Sequence, residues 1–227
     1  MEGMIAVVLA GGKGTRISSV VPDLPKPMVP IGGRPFLERI FDLIDNSVVE
    51  DVVVSVGYLS SKIIDHFGDN YRGLKLHYSV ETEPLGTGGA VLQASAQIQD
   101  DFFLVLNGDS ILELQIDDLL EYHKKHKKSI VVVSRVEDVS RYGQVSFDDR
   151  IHSFSEKTGF GVGYINTGIY ILSKEVFRLV ESRQFSLENL ICSELANQEF
   201  IPYEVSGRFI DIGTPVDLKR AESFFDD

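Results

Sequence analysis

The chain has a single cysteine, Cys192, in 227 residues. An internal disulfide is therefore excluded, and the expected setting is a reducing, cytoplasmic one. Long hydrophobic runs are also missing. None approaches the roughly 20 apolar residues of a membrane span, and the first residues lack the basic stretch of a secretory signal, so no membrane partner is expected. Positive charge is scarce: 22 Lys+Arg face 34 Asp+Glu, for a net charge of −12. An evenly acidic surface repels nucleic acid as well as anionic lipid, because both are held chiefly by Lys and Arg against phosphate. Nucleic acid is therefore not an expected partner either. Low-complexity tracts, Ser- or Pro-rich linkers and internal repeats are absent, including the hexapeptide repeat of a left-handed β-helix. With 43% hydrophobic and 25% charged residues, the expectation is one globular domain over residues 1–227.

What is present is an alternation of strand and helix patterns. Residues 4–9 form a continuous apolar run, as suits a strand covered on both faces of a parallel sheet. Residues 35–44 read as a helix opened by proline, 52–56 as a buried strand, and 61–67 as a short helix that Gly68 ends. A strand is expected at 74–80, a helix at 88–98 and the most hydrophobic strand at 102–106, which stops at Asn107-Gly108-Asp109. Further on, a helix over 115–126 precedes a strand at 130–136 and antiparallel strands at 144–147, 151–154 and 163–172. Helices are expected at 174–180, 186–195 and 215–225. This is an α/β, Rossmann-like fold: a mixed, mostly parallel sheet with helices on both faces. Its first half, about 1–110, is expected to bind a nucleotide and its second, about 111–227, an acceptor. Cys192 falls in an apolar helical pattern and is expected in the core, whereas His123 to Lys128 reads as a solvated helix end whose positive charge suits the helix dipole.

The positive charge that exists is gathered. Between Ala10 and Ile40 five basic residues, Lys13, Arg16, Lys26, Arg34 and Arg39, face Asp23 and Glu38. Screening over a Debye length of roughly 8 Å makes this local surplus of three matter more than the distant negative charge. Gly11-Gly12-Lys13-Gly14 lets backbone N–H groups approach an anion, Arg16 can fork onto phosphate oxygens, and Pro25-Lys26-Pro27 presents a lysine on a stiffened backbone. Two other phosphate loops are excluded. Ile17 stands where the dinucleotide fingerprint needs its third glycine, and no Gly-x-x-x-x-Gly-Lys-Ser/Thr stretch occurs.

Leu9-Ala10-Gly11-Gly12-Lys13-Gly14-Thr15-Arg16 followed by Pro25-Lys26-Pro27-Met28 resembles the signature of sugar-1-phosphate nucleotidyltransferases. The resemblance continues through Glu83-Pro84-Leu85-Gly86-Thr87-Gly88-Gly89, Leu106-Asn107-Gly108-Asp109, Phe154-Ser155-Glu156-Lys157, Asn166-Thr167-Gly168-Ile169-Tyr170 and Phe209-Ile210-Asp211-Ile212-Gly213-Thr214-Pro215. The short length, Arg141-Tyr142-Gly143 and Phe185-Ser186-Leu187-Glu188 look most like the D-glycero-α-D-manno-heptose 1-phosphate guanylyltransferases. Thr167 departs from the smaller residue expected in some relatives.

The resemblance implies a GT-A-like nucleotidyltransferase fold and transfer of a nucleoside monophosphate from a nucleoside triphosphate to a sugar 1-phosphate. It assigns Mg²⁺ to Asp109 and Asp211, the phosphates to Arg16 and Lys26, and the nucleotide to Leu9, Ala10, Gly11, Gly12, Gly14, Thr15, Gly86 and Thr87. Lys157 becomes the counter-charge of the sugar phosphate, with Tyr142, Gly143, Glu156 and Asn166 around the sugar. Glu81 stands at the spacing of a base-reading residue. Its carboxylate can accept both N1–H and the N2 amino group of guanine, which favours GTP over ATP, although uracil N3–H can donate to it as well. Mannose 1-phosphate as acceptor, uridylyl transfer to an amino-sugar 1-phosphate and non-catalytic binding of a nucleotide sugar stay open alternatives, as does a homodimer.

Overall fold

Alternate residues of the apolar strand runs point to opposite faces, and each face has its own core. Ala6, Val8, Val52, Val54, Leu104 and Leu106 join one hydrophobic cluster, while Val7, Val53, Phe103 and Val105 join the other. The computed structural model describes residues 3–14, 16–17, 21–45, 47–155, 159–195 and 199–225. In chain order its first half runs β1 (Ala6–Leu9), β2 (Pro30–Ile31), β3 (Arg34–Pro35), α1 (Phe36–Ile44), β4 (Asp51–Val56), α2 (Ser60–Phe67), β5 (Asn70–Tyr71), β6 (Leu74–Val80), α3 (Gly86–Ser95) and β7 (Phe102–Asn107). The second half runs β8 (Ser110–Leu112), α4 (Ile116–His126), β9 (Ser129–Val136), β10 (Gln144–Phe147), β11 (Ile151–Ser155), β12 (Gly163–Ser173), α5 (Leu187–Glu194), β13 (Phe200–Glu204), β14 (Phe209–Asp211) and α6 (Pro215–Phe224).

One mixed sheet spans the chain in the order β11-β10-β12-β7-β1-β4-β6-β5, with β9 also paired to β12 and β13 to β9. The central strands β7, β1, β4 and β6 are parallel; β12 joins β7 antiparallel. Helices α1, α2 and α4 cover one face through Phe36, Phe41, Ile63 and Leu119, and α3 and α5 cover the other through Val91, Ala94, Leu187 and Ile191. Two-faced burial is why the central strands read as unbroken apolar runs rather than as alternating ones.

The differences from expectation have local causes. Residues 174–180 do not form an α-helix: Lys174–Phe177 is a 3-10 turn, continued by three-residue bonds from Arg178 to Glu175 and from Val180 to Phe177. Lys174 Nζ is held by the Ile98 carbonyl at 2.5 Å, and the Ser173 side chain caps the turn by accepting from Glu175 N–H. Likewise α3 stops at Ser95 because Gln97 and Ile98 bond three residues back, tightening its end. Cys192 is exposed, not core, since the inward stripe of α5 is Leu187, Leu190 and Ile191. His123 is not part of a solvated end. It is buried against Phe102, with ring centroids 4.6 Å apart, and burial lowers its pKa. Among the described residues no helix is long and apolar enough to cross a membrane.

Candidate active site

The register of the parallel strands brings their C-terminal ends to one edge. Leu9 lies level with Ser55 of β4 and with Asn107 of β7, so the loops after β1, β4, β6 and β7 converge there. Ligands of open α/β sheets bind at this edge, where connections leave in opposite directions. A cavity of about 580 Å³ opens at it. Of the residues singled out in the sequence, Leu9, Gly11, Gly12, Lys26, Glu81, Gly86, Thr87 and Asp109 line it. Ala10 is instead buried in the sheet, where its N–H donates to the Ser55 carbonyl at 2.7 Å. Gly14 packs on the Lys26 side chain rather than on the cavity, and Arg16 is exposed and outside the lining. Thr15 lies outside the described residues.

Glu81 stands directly under the glycine loop. A Cβ on Gly11 would come within 2.2 Å of Glu81 Oε1, so only glycine lets loop and carboxylate meet. The same carboxylate accepts from Ser55 Oγ at 3.3 Å and from Leu85 N–H at 3.2 Å. It therefore holds the segment that starts α3 while lining the cavity.

Lys26 and Asp109 bring a close ion pair to the cavity. Lys26 Nζ donates to Asp109 Oδ2 at 2.6 Å, with the lysine side chain 15% and the aspartate 41% exposed. Asp211 reaches the same region by a device invisible in the local pattern. β8, which follows Asp109 directly, pairs antiparallel with β14, setting Asp211 opposite Ser110. The Ile212 N–H then donates to the Asp109 carbonyl at 3.0 Å. Burial raises the Asp211 pKa, and the neighbouring Asp217 and Asp109 raise it further, against the lowering effect of Arg141 and Lys26. A cation beside Asp211 would offset that cost. Among the described residues no group of three or more His, Cys, Asp or Glu is assembled as a metal cage. Two carboxylates, supplemented by water and substrate phosphates, are nevertheless the donor set that a small hard cation takes, so the residues present fit one.

The described residues expected around the sugar lie at β10 and β12. The Asn166 N–H donates to the Gly143 carbonyl at 3.1 Å, which brings these two predicted sugar residues together. The Asn166 amide nitrogen donates to the hydroxyl of the fully buried Tyr170 at 2.6 Å, and its amide oxygen accepts from Gly168 N–H at 3.2 Å. Both ends of the Asn166 amide are thus fixed in place. Tyr142 packs edge-on against Phe209, ring centroids 5.3 Å apart, at the start of β14. The Thr167 hydroxyl is buried and donates to the Val132 carbonyl at 2.8 Å, so its extra bulk is absorbed by the sheet. Glu156 and Lys157 lie outside the described residues.

Two neighbours, Gly57 and Tyr58, were not singled out in the sequence; they line the cavity together with Lys13 and Asn107, and Thr87 Oγ1 donates to Glu188 at 3.3 Å while accepting from Leu187 N–H at 2.9 Å. Gly57-Tyr58 follows a strand at its C-terminal end, a position the strand-end rule could have flagged. Glu188 belongs to the Phe185–Glu188 stretch quoted from the sequence, but its meeting with Thr87 depends on α3 and α5 packing together.

Comparison with known proteins places these observations in context. The family model described as nucleotidyl transferase matches residues 5–227. A D-glycero-alpha-D-manno-heptose 1-phosphate guanylyltransferase of Aneurinibacillus thermoaerophilus is 36% identical over 223 residues, covering 96% of this chain and 97% of that protein. One of the same name from Campylobacter jejuni is 36% identical over 217 residues, covering 94% and 96%. The crystal structure of HddC from Yersinia pseudotuberculosis complexed with GMP-PN is similar with a TM-score of 0.86 and 36% identity, over 98% of this chain and 100% of that one.

Proposed function

The chain belongs to the nucleotidyl transferase family, and from that premise we propose that it transfers GMP from GTP to D-glycero-α-D-manno-heptose 1-phosphate, releasing pyrophosphate. One observation carries the reading: a single cavity is lined at once by the glycine loop, by the Glu81 carboxylate and by the Lys26–Asp109 pair. The names of the 36%-identical relatives support the choice of base and sugar.

In the reaction, an oxygen of the sugar 1-phosphate attacks the α-phosphorus of GTP. The new oxygen–phosphorus bond forms as the bond to the β-phosphate oxygen breaks. The nucleophile is already ionised at neutral pH, so no protein base is required. Catalysis consists of positioning two polyanions and compensating charge where they meet. The glycine loop offers backbone N–H groups to the triphosphate, with Arg16 at its end. Lys26, held by Asp109, stands ready to compensate charge on the α-phosphate and the departing pyrophosphate. Glu81 accepts from guanine, Gly86 and Thr87 open the helix beside the nucleotide, and Tyr142, Gly143, Asn166, Glu156 and Lys157 receive the sugar phosphate. Asp109 and Asp211 would hold Mg²⁺, which when bound draws the phosphate oxygens together and withdraws charge from them. The first half of the chain thus serves the nucleotide and the second the acceptor.

The test is pyrophosphate release measured over a matrix of nucleoside triphosphates and sugar 1-phosphates. GTP with the heptose 1-phosphate is expected to give the highest kcat/KM. If UTP is the better donor with every sugar, the reading of the base is wrong. If mannose 1-phosphate outperforms the heptose, only the acceptor changes.

Glu81→Gln sharpens the base assignment. Glutamine keeps one acceptor but turns an amide N–H₂ towards the guanine N2 amino group. The expected fall in kcat/KM for GTP is about 10- to 100-fold, from loss of roughly 1–3 kcal/mol of bidentate readout. A role confined to holding Ser55 and Leu85 predicts instead an equal fall for every nucleotide.

A further inference from the structure

Asp217 is a completely buried carboxylate that the transfer steps do not use. It lies in the first turn of α6, where Thr214 already caps the helix by accepting from the Asp217 N–H. The Asp217 charge is therefore not needed for capping. Its Oδ2 accepts from Thr214 Oγ1 at 2.7 Å, and its Oδ1 takes a short hydrogen bond from Arg141 Nη2. The same Nη2 lies 3.5 Å from Asp211 Oδ1, the longer and weaker of its two contacts. Arg220 reaches Asp217 only at 3.8 Å, from a position 55% exposed, where solvent screens it.

Arg141 is anchored near this point through its backbone. It precedes Tyr142, whose ring packs on Phe209 at the start of the strand that carries Asp211. A guanidinium beside a candidate metal carboxylate is a competitor for that carboxylate, because it offers forked charge-assisted hydrogen bonds to the oxygens a cation would take. Around this point Asp109, Asp211 and Asp217 face Lys26 and Arg141, so that one negative charge is left over. Removing the charge of Asp217 cancels the surplus and frees Arg141 to close on Asp211.

We infer that Asp217 is a positioning residue that occupies Arg141 and so keeps Asp211 available to a divalent cation. It acts from the second layer, as groups that orient metal-binding side chains do. The inference rests on the reading of Asp109 and Asp211 as the metal carboxylates.

The experiment titrates Mn²⁺ alone into the full-length protein, following free Mn²⁺ by electron paramagnetic resonance, with circular dichroism melting on each variant. Asp217→Asn is expected to weaken Mn²⁺ binding about 10- to 100-fold. Adding Arg141→Met to it removes the competitor and is expected to restore most of that loss, which no packing or capping role of Asp217 would produce. Arg141→Met alone keeps the Asp217 carboxylate, which Thr214 Oγ1 still bonds, and is expected to bind Mn²⁺ no more weakly than the parent. If Asp217→Asn fails to fold, a tenfold loss in Arg141→Met alone still overturns the inference. The inference is overturned if Asp217→Asn binds like the parent, if the double variant is no better than Asp217→Asn, or if Arg141→Met alone loses tenfold. Asp211→Asn separates the layers of the argument. Weakened binding there with Asp217→Asn unaffected removes the inference only, whereas unchanged binding there removes the metal assignment and the inference together.

Discussion

Asp109→Asn is expected to yield a folded protein whose turnover is roughly a thousandfold lower, because a metal held by Asp109 as proposed would supply several kcal/mol of charge stabilisation at the reacting phosphate. The side chain is 41% exposed, so replacing it by an isosteric amide opens no cavity. The backbone contact that joins β14 to this point, Ile212 N–H to the Asp109 carbonyl, is untouched. A melting temperature within about 2–4 °C of the parent is expected, the shift that 1 kcal/mol produces in a chain of this size. Pyrophosphate release and thermal melting on the same preparation test both halves. Undiminished turnover would remove Asp109 from the metal site.

Lys26→Met is expected to have the second largest effect, a fall in kcat/KM of roughly 10²- to 10³-fold, the range seen when one preorganised donor to developing charge is removed. Methionine keeps the length and unbranched shape of the lysine stem but has no charge. The lysine is held in place on several sides. It lies between two prolines in the 3-10 turn Lys26–Met28, it is only 15% exposed, and Asp109 takes its ammonium at 2.6 Å. Gly14, in the left-handed region at φ +59°, brings its backbone so close that a Cβ there would sit 2.8 Å from Lys26 Cβ. The ammonium is seated at 2.6 Å from Asp109 as a compact point charge, which the longer, planar arginine fork cannot reproduce, so Lys26→Arg is expected to recover only a small part of the rate. Lys26→Met/Asp109→Asn tests whether the pair acts as a unit: the double variant should cost little more than the worse single one. Fully additive losses would show that lysine and aspartate work independently.

The parts of the fold that could be read from the residues share one property: their signal is local. The runs at β1, β4 and β7 are apolar without alternation because helices lie on both sides, and that double burial is written into each strand separately. The glycine loop with Lys26 is equally local, a cluster of backbone flexibility and positive charge within a few residues. Where reading failed, a second element was decisive. Cys192 looks apolar in its neighbourhood, but which stripe of α5 faces inward is set by the sheet beneath it. His123 sits in a charged stretch, yet the turn of α4 carries it onto Phe102.

The candidate site divides in the same way. By itself the sequence determined the chemistry on offer: a phosphate-suited loop, a fixed lysine, carboxylates at the ends of apolar strands, and six motifs in the order of one family. Only the tertiary structure decided which of these meet. Asp109 and Asp211 are brought together by the pairing of β8 with β14, and Glu81 is placed beneath the loop by the parallel register of β1, β4 and β6. The Arg141–Asp217 pair joins the segment before β10 to a helix near the end of the chain. Charge and flexibility are properties of residues, whereas hydrogen bonds and burial require partners, and the long-range partners here are supplied by strand pairing and helix packing.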